Sequence, residues 1–146
     1  MLLVCLYVDD LIFTGNNPRM FEDFMKAMIR EFEMTDIRLM SYYLDIEVKQ
    51  MEEGIFISQE GYTREILKKF KMDKCNPAIT LMEYGVKLSK HDVAEKVNPI
   101  TFKSLIGSLR YLTCTRPDIL YGVSLLSCYM EEPTSTHMKT ATRILL

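Results

Sequence analysis

The sequence predicts an α+β protein in which strands and a covering helix come first and helices follow. Two observations support this. Between residues 2 and 58, apolar and β-branched residues gather in short runs separated by turn residues. After residue 99, apolar residues instead recur every three or four positions, as in amphipathic helices. With 146 residues and 48% apolar composition, the chain is large enough to bury a core.

The first predicted element is a hairpin with an acidic tip. Leu2 to Tyr7 lacks strict alternation, which predicts a strand buried on both faces, and Leu11 to Thr14 predicts its partner. Val8, Asp9 and Asp10 then form the tip, because aspartate tolerates the backbone angles of tight turns.

A helix follows, with Asn17 as its cap and Pro18 at its first position. Glu22 and Lys26 form a favourable i,i+4 pair on its outer face. The apolar stripe is expected to cover the hairpin as core packing, not as a cofactor site. It consists of Phe21, Phe24, Met25, Met28, Ile29 and Phe32.

Tyr43 to Lys49 and Ile55 to Ser58 predict a second hairpin, and Tyr62 to Lys71 predicts a short helix. Five cations against two acids between residues 62 and 74 indicate a solvated surface. From Asp73 onward, weak periodicity predicts a long connector that ends near Pro99.

Three apolar stripes predict the C-terminal helices. They are Phe102, Leu105, Ile106, Leu109 and Leu112; Ile119, Val123, Leu126 and Met130; and Met138, Ala141 and Leu145. Arg116, Pro117 and Asp118 are expected to break the helix and form a local ion pair. His137 is expected at the surface rather than in a catalytic site.

Composition narrows the possible function. A net charge of −2 means that any basic surface has to be local. Four widely spaced cysteines without a CxxC motif favour a reducing intracellular setting over a zinc site or disulfide scaffold. The apolar start is neither a signal peptide nor a membrane span, because two aspartates interrupt it. Both ends look like element interiors, which suggests a segment of something longer.

Asp9 and Asp10 carry the clearest chemical signal. No Lys, Arg or His lies between Tyr7 and Gly15, so the two carboxylates repel each other unless a cation joins them. Carboxylate oxygens suit Mg²⁺, and phosphoryl-transfer enzymes use two such ions about 4 Å apart. A solvated turn is the alternative interpretation of the dipeptide.

Four segments, in order, resemble the reverse transcriptases of copia-type retrotransposons. YVDDLIFTG resembles their YVDD box, and REFEMTDIRLMSYYLDIEV the segment after the palm helix. GIFISQEGYTREILKKFKM resembles the next hairpin and helix. SLIGSLRYLTCTRPDILYGVSLLS and HMKTATRIL resemble the thumb and connection. The resemblance implies a partial palm over residues 1–72, a connector over 73–98 and a helical thumb and connection over 99–146.

The resemblance assigns catalytic roles at the hairpin tip. Asp9 and Asp10 would be two of three metal-binding aspartates that hold Mg²⁺ or Mn²⁺ in the complete enzyme. Tyr7 and Val8 would lie beside the primer end and the incoming nucleotide.

Nucleic-acid contacts are implied elsewhere. The residues matching the primer grip are Leu44, Ile46, Glu47 and Val48, and those matching the duplex-binding thumb helix are Lys103, Gly107, Arg110 and Tyr111. Lys103, Gly107 and Arg110 share one helical face, where a missing side chain lets a sugar–phosphate backbone approach. Close helix packing at Ser104, Gly107 and Ser108 is the alternative.

The resemblance implies an RNA-directed DNA polymerase within a Pol polyprotein. Its partners would be the template–primer, dNTP, and the fingers and ribonuclease H regions of the polyprotein. No membrane partner is expected. The resemblance implies a location in cytoplasmic virus-like particles or in the nucleus. The family's fingers and first aspartate precede the YVDD box, so this chain alone is expected to be inactive. The alternative is a non-catalytic remnant that binds nucleic acid or protein.

Three positions depart from the family pattern. Arg38 and Asp45 stand where the family usually has glycine, and Leu81 where it has proline. Glycine lost from a site that needs positive φ or the close approach of another group costs about 1 kcal/mol or more.

Overall fold

The computed structural model describes residues 1–146 and confirms the α+β class. The chain forms two compact units, Met1–Tyr43 and Leu44–Leu146, which we call the N-terminal and C-terminal units. No helix combines the length and the apolar character that a membrane crossing requires.

The N-terminal unit begins with a hairpin of β1 (Leu2–Tyr7) and β2 (Asp10–Gly15). The strands are antiparallel, from the pair Leu2–Gly15 to the pair Tyr7–Asp10, and Val8 and Asp9 form the loop. This confirms the predicted hairpin, except that Asp10 is the first residue of β2 instead of part of the tip. A short strand, β3 (Tyr42–Tyr43), ends the unit.

Helix α1 (Pro18–Glu31) confirms the predicted helix. The Asn17 side chain caps it by accepting hydrogen bonds from the backbone N–H groups of Arg19 and Met20, at 3.0 and 3.4 Å. Lys26 Nζ lies 3.9 Å from the Glu22 carboxylate, as the i,i+4 spacing predicts.

The helix packs on the hairpin through Phe13 of β2. The Phe13 ring centroid lies 4.5 Å from that of Phe21 and 5.2 Å from that of Phe24. The predicted covering of one hairpin face is therefore confirmed. The end of the stripe remains outside this contact, since Phe32 is 58% exposed.

The prediction that β1 is buried on both faces is wrong. Leu3 is 56% exposed and Leu6 is 67% exposed. The physical reason is that β1 pairs with β2 alone, so its second edge and much of its surface remain open.

The C-terminal unit starts with the second hairpin, β4 (Ile46–Met51) and β5 (Gly54–Ser58), followed by α2 (Glu60–Lys69). The hairpin is antiparallel, with Glu47 opposite Ser58 and a loop of Glu52 and Glu53. Both elements confirm the prediction within three residues at each end.

The predicted helical region contains α3 (Pro99–Leu112), a 3₁₀ turn at Pro117–Ile119, α4 (Leu120–Ser127) and α5 (Ser135–Leu145). The buried core of the chain lies in this unit, and the three predicted stripes supply most of it. Its fully buried apolar members include Phe102, Leu105, Ile106, Leu109, Val123, Leu126 and Ala141.

The connector before α3 has no helix and no strand beyond one isolated bridge, Lys96 with Thr134, which confirms the irregular segment. Helix α5 holds it: Arg143 Nε donates to the Thr80 carbonyl at 2.9 Å, and Lys139 pairs with Glu83 at 3.2 Å.

Arg116 and Asp118 form the predicted local ion pair, with two hydrogen bonds of 2.9 and 2.7 Å. The Arg116 guanidinium lowers the pKa of the Asp118 carboxyl. The pair lies where the 3₁₀ turn separates α3 from α4.

The prediction of a surface position for His137 is wrong, because the side chain is fully buried. Its Nδ1 accepts a hydrogen bond from the Thr134 backbone N–H at 3.1 Å, and Tyr129 stacks on the ring at 4.1 Å. His137 therefore takes the third position of a capping box at the start of α5, a place that usually holds Glu or Gln.

Candidate catalytic and nucleic-acid-binding sites

The acidic tip is a strained two-residue turn. Val8 has a φ of +52°, an uncommon angle for a β-branched residue, which clashes with its own backbone there. Backbone strain of this kind concentrates at functional sites, where it aims side chains that an ordinary turn would point elsewhere. Here the strain lies directly beside Asp9.

The strand register separates the two faces of the hairpin. Tyr7 pairs with Asp10, and Cys5 pairs with Ile12, so these four side chains share one face. Phe13 lies on the opposite face, because side chains alternate along a strand, and α1 packs there. Helix α1 thus supports the hairpin from behind and does not cover the face that carries Asp10.

Asp9 and Asp10 are exposed, and neither carboxylate forms a hydrogen bond or a salt bridge within the chain. Ordinary surface carboxylates in this protein often have partners, such as Glu22 and Asp118. No third His, Cys, Asp or Glu joins the pair to form a cluster suited to a metal ion.

Tyr43 is a residue of this face that the sequence did not indicate. Partial burial raises the pKa of its phenol, and the Cys5 side chain and the Asp10 carboxylate raise it further. Tyr43 therefore lies beside the face that carries Tyr7 and Asp10. Its neighbours are about 30 residues away in sequence, and periodicity does not encode such proximity.

The predicted primer-grip residues surround the start of β4. Leu44 and Asp45 have φ values of +46° and +58° in succession, a turn that usually takes Asn-Gly or Asp-Gly. Arg38 has a φ of +68°. Both positions at which the chain departs from a family glycine are thus left-handed, which is one of the two reasons for glycine that the resemblance left open.

Glu47 and Val48 have internal partners. The Glu47 carboxylate accepts hydrogen bonds from Gly61 N–H at 2.8 Å and from Ser58 Oγ at 3.2 Å. It thereby caps the N-terminus of α2, where Gln59 offers no side-chain cap. Val48 is 6% exposed and packs inward.

Lys103, Gly107 and Arg110 lie exposed on one face of α3, which we call the cationic face. Neither Lys103 nor Arg110 forms a salt bridge, whereas Lys26, Arg64 and Lys139 are paired. Two unpaired cations with a gap between them present an arrangement suited to a phosphate backbone.

Gly107 is not required for packing within this chain. A Cβ placed on it would meet nothing within 4 Å, so the alternative of close helix packing is wrong at this position. Gly122 of α4 is the packing glycine, since its Cβ would lie 2.8 Å from Ile144 Cδ1. Ser108 is buried and donates to the Ser104 carbonyl at 3.0 Å, so Ser108 does belong to the interior side of α3.

The remaining predicted contact, Tyr111, faces the second hairpin. Its hydroxyl donates to the Leu44 carbonyl, and its ring meets Tyr62 edge-on at 5.0 Å. The Tyr62 hydroxyl in turn lies 3.5 Å from the Ser108 carbonyl. The C-terminal unit therefore brings together predicted primer-grip and thumb residues that are far apart in sequence.

Comparison with known proteins identifies the family to which the chain is similar. Residues 1–84 match the family described as "Reverse transcriptase (RNA-dependent DNA polymerase)". The chain is 35% identical over 140 residues to "Retrovirus-related Pol polyprotein from transposon RE1" and 33% identical over 145 residues to that from transposon RE2, both of Arabidopsis thaliana. These alignments cover 96% and 99% of this chain and 10% of each relative.

A third relative from the same plant, "Uncharacterized mitochondrial protein AtMg00810", is 34% identical over 140 residues. That alignment covers 96% of this chain and 58% of the relative. No solved structure matches the chain. The chain thus spans about a tenth of the length of the Pol polyproteins that it matches.

Proposed function

The chain belongs to the reverse transcriptase family of copia-type retrotransposon Pol polyproteins, and we propose that it supplies two metal ligands and the duplex-binding helix of such a polymerase. In this assignment residues 1–72 are palm, 73–98 connect, and 99–146 are thumb and connection. The complete polyprotein would use template–primer and dNTP as substrates.

The observation that carries the catalytic part is the pair of exposed, unpartnered carboxylates on a strained turn, Asp9 and Asp10. Their hard oxygen donors fit Mg²⁺ or Mn²⁺, and α1 leaves their side of the hairpin open. A bound divalent ion would lower the charge repulsion at the primer end and orient the reacting oxygens. Tyr7 and Val8 would border the primer end and the incoming nucleotide.

The cationic face carries the nucleic-acid part. Lys103 and Arg110 would each meet a phosphate, and Gly107 would admit the sugar–phosphate backbone between them. Contacts of this type recognise the shape and charge of a duplex and not its sequence, as a polymerase requires.

A metal titration tests the catalytic part. Mn²⁺ added to isotope-labelled chain is expected to broaden the NMR signals of residues 7 to 12 first, because a paramagnetic ion acts on its nearest neighbours. Asp9→Asn is expected to abolish the effect, whereas Glu52→Gln, an exposed acid in the other hairpin loop, leaves it unchanged. Equal broadening at all exposed carboxylates would refute the site.

Duplex binding tests the nucleic-acid part. The double variant Lys103→Ala, Arg110→Ala is expected to weaken binding of an RNA–DNA hybrid equally for unrelated sequences. It should also reduce the slope of log affinity against log salt by about two, because each phosphate contact contributes about one. The control Lys26→Ala, Lys139→Ala removes two cations elsewhere and should change the affinity little. Unchanged binding by the α3 variant would refute the cationic face.

A second candidate function is a non-catalytic nucleic-acid-binding module. It is favoured because the cationic face is complete within this chain, whereas Asp9 and Asp10 have no third acidic neighbour. Duplex binding without primer extension by the isolated chain would agree with it. Extension that disappears with Asp9→Asn would exclude it.

A further inference from the structure

Four contacts connect the second hairpin and α2 to the C-terminal helices. Gln59 is buried, and its Oε1 accepts a hydrogen bond from Thr115 Oγ1 at 2.8 Å. Tyr62 reaches the Ser108 carbonyl, and Ile66 is buried in the helical core. Tyr111 reaches the turn that immediately precedes the hairpin, at the Leu44 carbonyl. The hairpin that contains the proposed primer grip thus belongs to the same compact unit as α3.

The Leu44–Asp45 turn is an improbable conformation without outside support. Two successive residues other than glycine are left-handed, each of which costs about 1 kcal/mol or more. Such a turn persists when its surroundings hold it, and the Tyr111 hydroxyl holds the carbonyl of its first residue. The edge-on contact with Tyr62 restricts the Tyr111 ring in turn.

Tyr111 also lies one residue after Arg110 of the cationic face, on the same helix. A displacement of α3 toward a bound duplex would therefore move the donor that holds the Leu44 carbonyl. Arg110 and Tyr111 are adjacent on one hydrogen-bonded helix, so a shift of the cationic face would be passed on to the Leu44 carbonyl.

We infer that Tyr111 is a positioning residue that couples the duplex-binding face of α3 to the Leu44–Asp45 turn, so that the primer-grip hairpin follows the duplex. The inference rests on the proposed function of both surfaces. The resemblance implied that Tyr111 contacts nucleic acid, whereas in this inference its hydroxyl acts on the duplex only through the Leu44 carbonyl.

The test uses Tyr111→Phe, which removes one hydroxyl and keeps the ring contact with Tyr62. Tyr121→Phe is the matched control, since Tyr121 is 76% exposed on α4 and forms no hydrogen bond. Hydrogen–deuterium exchange of residues 44–48 and of α3 is followed in the free chain and with an RNA–DNA hybrid bound.

In the free chain, Tyr111→Phe is expected to speed exchange at residues 44–48 about fivefold, the value for one lost hydrogen bond of about 1 kcal/mol. Tyr121→Phe should leave it unchanged. In the wild-type complex, the hybrid should slow exchange both on α3 and at residues 44–48. In Tyr111→Phe, the affinity for the hybrid should stay within about twofold of wild type, and the hybrid should still slow exchange on α3. It should no longer slow exchange at residues 44–48.

Two outcomes with Tyr111→Phe would overturn the inference. Equal protection of residues 44–48 in Tyr111→Phe and wild type would mean that the hybrid reaches the hairpin without Tyr111. A loss of affinity as large as that of Lys103→Ala, Arg110→Ala would make Tyr111 a direct ligand. If the wild-type chain bound no hybrid, the proposed function would fail and the coupling with it, whereas hybrid binding that leaves exchange at residues 44–48 unchanged would overturn the coupling alone.

Discussion

The two units use similar apolar sequences in opposite ways. In the N-terminal unit no residue is buried, although every residue of β1 is apolar and α1 carries an apolar stripe. In the C-terminal unit α3, α4 and α5 enclose fully buried side chains such as Leu105 and Leu126. The difference shows that an apolar pattern predicts for which residues burial is favourable, whereas the number of neighbouring elements determines how much of their surface is buried.

The proposed metal ligands and the stabilising core lie in different units. The unpartnered carboxylates lie on the exposed hairpin of the N-terminal unit, while the buried core that stabilises the chain lies in the C-terminal unit. The cationic face differs from the hairpin tip, because its exposed cations lie on a helix whose other side is buried in the core. A site on such a helix is held more rigidly than one on a hairpin with two strands.

The largest expected effect is the loss of a core side chain. Leu105→Ala should lower the free energy of unfolding of the C-terminal unit by about 2 to 5 kcal/mol, because it leaves a cavity at a fully buried position. Ile29→Ala in α1, where the side chain is 47% exposed, should cost about 1 kcal/mol or less. Native-state hydrogen exchange measures each unit separately. Equal losses of unfolding free energy at the two positions would contradict the difference between the units. Ile100→Ala is the control for alanine substitution on α3, because Ile100 is 77% exposed.

Acidification should act on the C-terminal unit through His137. Burial lowers the pKa of this imidazole, although the nearby Asp92 carboxylate opposes the shift. The folded state therefore binds fewer protons than the unfolded state as pH falls below about 6.5, and stability decreases over that interval. Protonation of Nδ1 would also remove the acceptor that caps α5, a loss of about 1 kcal/mol.

Urea denaturation at pH 8 and pH 5.5 measures this effect. His137→Gln should reduce the difference between the two values, and His91→Gln, which changes an exposed histidine, should preserve it. Asp92 makes a separate contribution at lower pH. Hydrogen bonds from Thr134 and Thr136 lower the pKa of its carboxyl, so that its stabilisation is lost only below its ordinary titration range. A pH dependence that His137→Gln does not alter would contradict the assignment.

Gly107→Ala should raise the stability of the chain and lower its affinity for nucleic acid. Alanine in the middle of a helix is more stable than glycine by about 0.5 to 1 kcal/mol, and the methyl group would enter open space. Thermal denaturation should therefore show a gain, while affinity for an RNA–DNA hybrid falls because the gap between the cations is filled. Gly122→Ala should show less gain, since its methyl would crowd Ile144. Gly107→Ala with unchanged affinity would contradict the proposed approach of a nucleic-acid backbone.

The smallest expected effect compares the two strained positions. Arg38→Gly in the N-terminal unit and Asp45→Gly in the C-terminal unit should each raise stability by about 0.5 to 1 kcal/mol by relieving a left-handed conformation. The gain should be smaller at Asp45, because aspartate tolerates this region better than arginine. Glu33→Gly, at an exposed position without positive φ, should instead lower stability slightly. Denaturant titration of the three variants measures the order.

Local sequence signals predicted most of the elements. The cap at Asn17, the stripe on α3 and the break at Arg116 to Asp118 were all predicted correctly, since each depends on residues within a few positions of one another. The resemblance also marked Arg38 and Asp45 as departures from glycine, but it left positive φ and close approach open as reasons, and the structure shows positive φ at both. The domain boundaries at residues 72 and 98 and the roles of Tyr7 and Asp9 stay predictions.

The failures all involve contacts between distant segments. Burial of β1 depends on neighbouring strands, and the environment of His137 depends on Tyr129 and on Asp92 of the connector. The partner of Tyr111, Leu44, lies 67 residues away, and the neighbours of Tyr43 are on the first hairpin. Periodicity contains no information about which of many polar groups becomes the partner.

The sequence by itself determined the order of helices and strands, the acidic hairpin tip and the family to which the chain belongs. These follow from backbone preferences and short-range spacing, which act before the chain is compact. Only the tertiary structure decided that Gly107 faces open space, that His137 is buried and that the Tyr111 hydroxyl donates to the Leu44 carbonyl. The reason is that burial and hydrogen-bond partners are set by the elements that pack together, and a residue does not encode its distant neighbours.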